Sequence, residues 1–111
     1  MTLTTIKKAA KLMGYKVFDN TCDEGIFVGE TGEGDLELFN PLTNKADLMD
    51  LECAFASLHM NILPSRIEFW GVIGHEHAET VVYIDDHPNK FTARAHAVMA
   101  VVEQIYDRRE G

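Results

Sequence analysis

The sequence predicts an α+β fold in which helices cover both faces of a central antiparallel hairpin, a three-layer helix–sheet–helix sandwich. Three observations support this class. The chain ends in a long stretch of helical hydrophobic periodicity, two neighbouring strands are apolar on both faces, and short strand patterns follow a first amphipathic helix. The predicted order is α-β-β(-β)-α-β-β-α, in a single domain over residues 1–111.

The first helix is predicted from about Thr4 to Met13, because apolar residues recur there at helical spacing and lysines occupy the other side. Thr4 or Thr2 suits its N-cap, and Gly14 suits the left-handed residue that ends many helices. Alternating and β-branched patterns then predict strands at residues 15–19 and 26–28, and a short third strand at 35–39.

A second helix is predicted from about Lys45 to Leu58, with Thr43 or Asn44 as its N-cap. Cys53 lies near its apolar side and is interpreted as a small core residue. The apolar stripe of this helix consists of Leu48, Leu51, Phe55 and Leu58.

Two strands at residues 66–73 and 79–84 predict an antiparallel hairpin with a longer loop between them. In the first strand, Phe69 lies on one face and Trp70 on the other, and the second strand is also apolar on both sides. Such strands are typically covered on both faces, so we expect helices on each side of the hairpin.

The last helix is predicted from about Phe91 to Arg108, after a polar loop in which Asn89 suits the N-cap. Its apolar positions, from Phe91 to Ile105, follow helical spacing over about four turns. The alanines of this helix keep it narrow, so we expect it to lie close to a sheet or to another helix.

Three segments carry a resemblance to a known family: Lys-Leu-Met-Gly-Tyr at 11–15, Phe-Asn-Pro-Leu-Thr-Asn-Lys-Ala-Asp-Leu at 39–48, and the alanine-rich segment at 91–101. With these segments the chain resembles small phage and prophage proteins that carry a phage ABA sandwich domain. The resemblance implies helix–sheet–helix layering and an origin in a virus or an integrated prophage. It implies no reaction.

The composition excludes several function classes. The 111 residues include 18 Asp and Glu against 10 Lys and Arg, a formal net charge of −8. This charge argues against direct nucleic-acid binding, which needs cations to displace counterions. The sequence shows no apolar run long enough for a membrane span and no signal peptide at Met1, so we expect a cytoplasmic protein, in the host cell if it is phage-encoded.

The acidic residues are concentrated in one segment. Between Val17 and Asn44 there is no Lys or Arg, and we call this stretch the acidic segment. A one-sided acidic surface steers basic partners and imitates the charge of DNA, although it also serves simply as a solvated face. The candidate binding residues of the acidic segment are Asp19, Asp23, Glu24, Glu30, Glu33, Asp35 and Glu37.

The weak metal candidates are His75, His77 and Glu79. Two histidines two residues apart point the same way in an extended backbone, as zinc or nickel ligands would require. The carboxylates of Asp85 and Asp86 follow the next strand and are expected at the opposite end of the hairpin. We therefore interpret the segment around His75 as a solvated hairpin tip, and expect no metal and no cofactor.

The leading hypothesis is a non-enzymatic phage or prophage accessory protein that binds a protein partner, a basic one if the acidic segment is the contact surface, or that self-associates. A second hypothesis is an anti-defence protein whose acidic segment mimics DNA charge. A third is a metal-dependent enzyme that uses His75, His77 and Glu79, and a fourth is a small-ligand binder that uses the sheet and the loop ends.

Overall fold

The computed structural model describes residues 3–22, 25–29 and 37–110. Its strands form two antiparallel three-stranded sheets, in the orders β1-β2-β3 and β4-β5-β6, so the protein is α+β as predicted. In chain order the elements are α1 (Leu3–Leu12), β1 (Lys16–Cys22), β2 (Gly25–Gly29), β3 (Glu37–Phe39), α2 (Lys45–Cys53), β4 (Ser57–Ile62), β5 (Arg66–Ile73), β6 (Glu76–Tyr83) and α3 (Lys90–Glu110).

Helix α1 ends at a glycine as predicted. Gly14 has a φ of 82°, the N–H of Tyr15 donates to the carbonyl of Ala10 (3.0 Å), and the N–H of Gly14 donates to that of Lys11 (3.1 Å). This pair of bonds satisfies carbonyls that the end of a helix would otherwise leave without donors. Thr4 lies inside the helix, so its prediction as N-cap was wrong, and Thr2 lies outside the described residues.

The first sheet packs against α1. Ile26 and Val28 of β2 are buried, and Ile26 pairs with the buried Phe39 of β3. Ile6 and two alanines further along α1 are buried as well, and α1 contacts both β1 and β2. The helix also contacts α3, where the Thr5 hydroxyl donates to a Glu103 carboxylate oxygen at 2.7 Å.

Helix α2 begins as predicted and ends five residues earlier than predicted. The Asn44 side chain accepts from the N–H of Asp47 at 3.1 Å, which confirms the N-cap. Phe55 leaves the helical stripe to pack edge-to-face on Phe69, with ring centroids 5.5 Å apart, and is buried there. The chain then forms β4 instead of another helical turn, so Leu58 lies in a strand and is 41% exposed. Cys53 is exposed, so its prediction as a core residue was wrong.

In the second sheet, β5 has the predicted bounds, but it is buried on one face only. Alternate residues from Ile67 to Ile73 are buried, whereas Trp70 and Val72 on the other face are half-buried. On that same face of β6, Val81 and Tyr83 are 48% and 56% exposed. The prediction that both faces of the hairpin are covered was therefore wrong for β6.

Helix α3 connects the two halves of the structure. It contacts α1 as well as β5 and β6, and its Arg94 forms a forked ion pair with Glu52 of α2, with nitrogen–oxygen distances of 2.8–3.1 Å. The contacts thus run from one sheet through α1 and α3 to the other sheet, and they do not confirm helix–sheet–helix layering. No helix in the described part of the chain is long and apolar enough to cross a membrane. The buried residues of α3 are Ala93, Ala95, Ala97, Val98, Met99, Val101, Val102 and Ile105.

Candidate functional site

The hairpin tip that carries the weak metal candidates is tighter than predicted. Strand β6 begins at Glu76, which pairs with Ile73, so only Gly74 and His75 form the turn. Gly74 has a φ of 64°, and no residue type besides glycine has a positive φ in the described chain, which matches a two-residue turn with glycine at its first position. The predicted longer loop was therefore wrong, and His75 is a turn residue.

The end of α3 holds this tip in place. Arg109 donates from Nη2 to the carbonyl of Ile73 at 2.9 Å and from Nε to the Glu76 carboxylate at 3.0 Å. Arg108 donates to the carbonyl of His77. The carboxylate of Glu76, which lies between His75 and His77 in the sequence, thus forms an ion pair with Arg109, and this contact holds the hairpin tip against α3.

The geometry brings no metal-ligand set together among the described residues. His77 lies on the strand with its ring centroid 6.2 Å from that of Trp70, while His75 is exposed in the turn and Glu79 is exposed one step further along β6. Over residues 3–22, 25–29 and 37–110, no group of three His, Cys, Asp or Glu side chains is placed to hold a metal ion. The metal-dependent enzyme hypothesis gains no support from these positions.

A histidine pair lies at the opposite end of β6, before and within α3. The rings of His87 and His96 are 4.4 Å apart between centroids and tilted by 37°. Next to them the Asn89 side chain accepts from the N–H of Thr92 at 2.8 Å, which confirms Asn89 as the cap of α3. Burial lowers the pKa of His96 below its ordinary value, and the neighbouring charge of His87 lowers it further.

This pair predicts a pH dependence of stability. Because the pKa of His96 is lower in the folded chain, the unfolded chain takes up a proton more readily, and stability falls as the pH drops below about 6.5. We expect urea midpoints to decrease from pH 7.5 to pH 5, with a shallower decrease for His96→Gln. His59→Gln, which removes an exposed imidazole from β4, is the control. Equal slopes for wild type and His96→Gln would contradict this prediction.

The acidic segment falls largely outside the described residues. The part that the structure does not describe includes five of the candidate acids and the side chain of Asp19; the five are Asp23, Glu24, Glu30, Glu33 and Asp35. Of the seven candidates, the structure describes the side chain of Glu37, which is exposed at the start of β3. These seven residues therefore stay a sequence prediction.

Sequence reasoning missed β4, and with it an open edge of the second sheet. The N–H of Leu63 donates to the carbonyl of Arg66 at 2.9 Å, so this pair is hydrogen-bonded across the turn. In an antiparallel pair such bonding alternates along the strands. With Asn61 opposite Glu68 and Ser57 opposite Val72, the odd-numbered residues of β4 bond to β5. The main-chain groups of Leu58, Met60 and Ile62 therefore face away from the sheet, and we call these three residues the open edge.

The opposite edge of the same sheet is covered in part, over the first half of β6. By the same alternation, His77 and Glu79 of β6 direct their main-chain groups outward. Two side chains of α3 reach these carbonyls: Arg108 donates to His77, and Gln104 Nε2 donates to Glu79 at 3.3 Å. In the described chain no comparable side-chain bond reaches the open edge of β4.

The open edge also carries apolar side chains. Residues directly opposite each other in a sheet share a face, so Leu58, Met60 and Ile62 lie on the face of Ile67 and Phe69. Leu58 is 41% and Ile62 is 52% exposed, whereas Met60 packs partly against the core. The strand Ser57–Ile62 contains no Asp, Glu, Lys or Arg. Natural sheets usually protect edges with charge, proline or a covering element, so an uncharged edge with exposed apolar groups indicates a contact surface.

Together, these observations define an α+β protein with an uncharged strand at one edge of its second sheet. A scan against protein-family models found no match, and searches of curated proteins and of solved structures found none either. The resemblance to phage ABA sandwich proteins therefore stays a prediction from the sequence.

Proposed function

We propose that this protein acts without catalysis, as a binding protein whose partner adds a strand to the open edge of the β4-β5-β6 sheet. The observation that supports this proposal is the difference between the two edges. Arg108 and Gln104 donate to two outward carbonyls of β6, those of His77 and Glu79. In the described chain no side chain donates to the outward groups of Leu58, Met60 and Ile62.

Strand addition suits the chemistry of this edge. Main-chain hydrogen bonds supply the affinity of such contacts, and alternate side chains on one face supply the specificity. Leu58 and Ile62 provide exposed apolar side chains on the same face, next to the covered core of the sheet. The proposal includes the role of an accessory protein of a phage or prophage in the host cytoplasm, which the three resembling sequence segments support.

The acidic segment supports a second candidate, an anti-defence protein that occupies a basic nucleic-acid groove. In the described part of the chain, the ion pairs of lysine and arginine go to acids outside this segment: Lys8 contacts Asp107 at 2.8 Å, and Arg94 and Arg109 contact Glu52 and Glu76. In the sequence, the seven acids between Val17 and Asn44 form a block of negative charge without a lysine or arginine among them. Such a block favours a basic partner.

One capture experiment tests both candidates. We expect immobilised wild-type protein to retain a defined partner from a host lysate. The lysate also contains untagged copies of the same chain, and these count as a partner. Ile62→Lys places a charge on the open edge, so it should reduce this capture at least tenfold. Met49→Lys is the matched control, because it makes the same change at an apolar residue that is 63% exposed on α2, away from the edge.

The outcomes separate the candidates. Equal capture by wild type and Ile62→Lys would overturn the strand-addition proposal. Capture that is insensitive to Ile62→Lys but falls steeply between 50 mM and 500 mM salt would favour the acidic segment instead, because exposed charge attraction is screened. Thermal unfolding of both lysine variants checks that each retains its fold.

A further inference from the structure

We infer that the strand which occupies the open edge is β4 of a second copy of this chain, paired antiparallel about a two-fold axis at Met60. This inference rests on the proposed function, because it names the partner of the same edge. The hydrogen-bonding register of β4, its exposed apolar side chains and its lack of charged residues support a second copy at this edge.

The hydrogen-bonding register of β4 permits a symmetric pair. The outward groups belong to Leu58, Met60 and Ile62, three alternate residues with Met60 in the middle. In an antiparallel pair about a two-fold axis at Met60, Leu58 lies opposite Ile62 of the second copy, and Met60 lies opposite itself. Each of these pairs exchanges two main-chain hydrogen bonds. Every outward N–H and carbonyl of the open edge then has a partner.

The same register matches the exposed apolar side chains. Leu58 and Ile62 lie on one face, and directly opposite side chains in such pairs contact each other. The two-fold axis therefore brings Leu58 of one copy against Ile62 of the other, twice, with the two Met60 side chains between them. The side chains that are 41% and 52% exposed in the single chain become covered.

The charge of the chain favours β4 over other parts of the surface as the place where two copies meet. Two chains that each carry a formal charge of −8 repel each other, so a contact surface without acidic residues adds no local repulsion to this overall one. The strand Ser57–Ile62 is such a surface, since His59 is its one titratable side chain. On the other face of the pair, His59 lies opposite Asn61 of the second copy, which places no like charges together. An edge pair through β6 would instead involve Glu76 and Glu79 and displace Arg108.

The test measures the mass of the untagged full chain by light scattering after size exclusion, from about 5 µM to 1 mM. We expect the mass to rise with concentration from 12.5 kDa towards twice that value. Two double variants then test the register. Leu58→Lys with Ile62→Lys places lysine opposite lysine, whereas Leu58→Lys with Ile62→Glu places lysine opposite glutamate. Both variants remove the same apolar side chains from exposed positions.

We expect the like-charged variant to associate at least tenfold more weakly than the charge-complementary variant, and the difference to shrink at 0.5 M salt. Within one chain the two positions are four residues apart on a strand, too distant for their charges to explain this difference. Equal association by the two variants would overturn the inference. A wild-type chain that stays at 12.5 kDa throughout would overturn it as well, while capture of another protein that Ile62→Lys abolishes would leave the proposed function standing.

Discussion

Phe69→Ala is expected to lower the free energy of unfolding by about 3–5 kcal/mol, a large part of the total of about 5–15 kcal/mol typical of domains. Phe69 is 2% exposed at the centre of β5, and its ring packs edge-to-face on Phe55. The substitution removes both the transfer of a large apolar side chain from water and the contacts around it, and it leaves a cavity that the sheet fills only partly. Urea denaturation followed by circular dichroism measures the loss.

The matched control is Tyr83→Ala, an aromatic truncation on β6 of the same sheet. Tyr83 is 56% exposed on the opposite face, so we expect a loss below about 1 kcal/mol. Similar losses for the two variants would contradict the assignment of the buried face. Because Tyr83 lies away from the open edge, this control is also expected to leave association of the chain unchanged.

Gly71→Ala is expected to destabilise the fold by about 1–3 kcal/mol, although it adds a single methyl group. A Cβ at this position would lie 2.5 Å from Cε1 and 2.6 Å from Cδ1 of Phe55, closer than side chains approach each other. The Phe55 ring therefore has to shift away from its position against β5. Thermal unfolding measures the effect.

A double-mutant cycle assigns this cost to the ring. Phe55→Leu makes room for the added methyl, so the cost of Gly71→Ala is expected to be smaller in the Phe55→Leu background than in wild type. Gly14→Ala is the control, because a Cβ there meets nothing within 4 Å and its cost comes from a φ of 82°. That cost should be the same in both backgrounds. Additive effects of Gly71→Ala and Phe55→Leu would show that the ring is not the obstacle.

Local signals account for the elements that were predicted well. Gly14 ends α1, Asn44 begins α2 and Asn89 begins α3, each through hydrogen bonds or a left-handed conformation that its residue type favours. Helix α3 has a long periodic pattern and extends two residues beyond its predicted end at Arg108. Such signals act over a few residues, so they can be recognised without knowledge of the residues that pack against them in the folded chain.

Competition between local preference and packing explains the errors. The helical stripe of α2 continues to Leu58 in the sequence, and no glycine or proline marks an earlier stop. Burial of Phe55 against Phe69 and Gly71, residues of a strand that lies further along the chain, ends the helix at Cys53. The same contact makes residues 57–62 available as β4. Neither the strand nor its open edge was therefore predictable from local pattern.

The candidate functional sites, too, depend partly on local sequence and partly on tertiary structure. His75, His77 and Glu79 were predicted to form a weak metal candidate, and the structure instead shows Glu76 paired with Arg109 from a helix that is distant along the chain. The candidates in the acidic segment depend on composition alone. The open edge depends on which groups of Leu58, Met60 and Ile62 are already bonded, and that is a property of strand register.

The sequence alone determined the α+β class, the helix ends at Gly14, Asn44 and Asn89, the bounds of β5 and the separation of charge that leaves the acidic segment without a lysine or arginine. These features follow from residue type and short-range spacing. Tertiary structure decided where α2 ends, which face of the hairpin is covered, and which sheet edge is open. Those features follow from contacts between residues that are distant along the chain, above all Phe55 on Gly71 and Arg108 and Gln104 on β6, and such contacts cannot be recognised from short-range spacing.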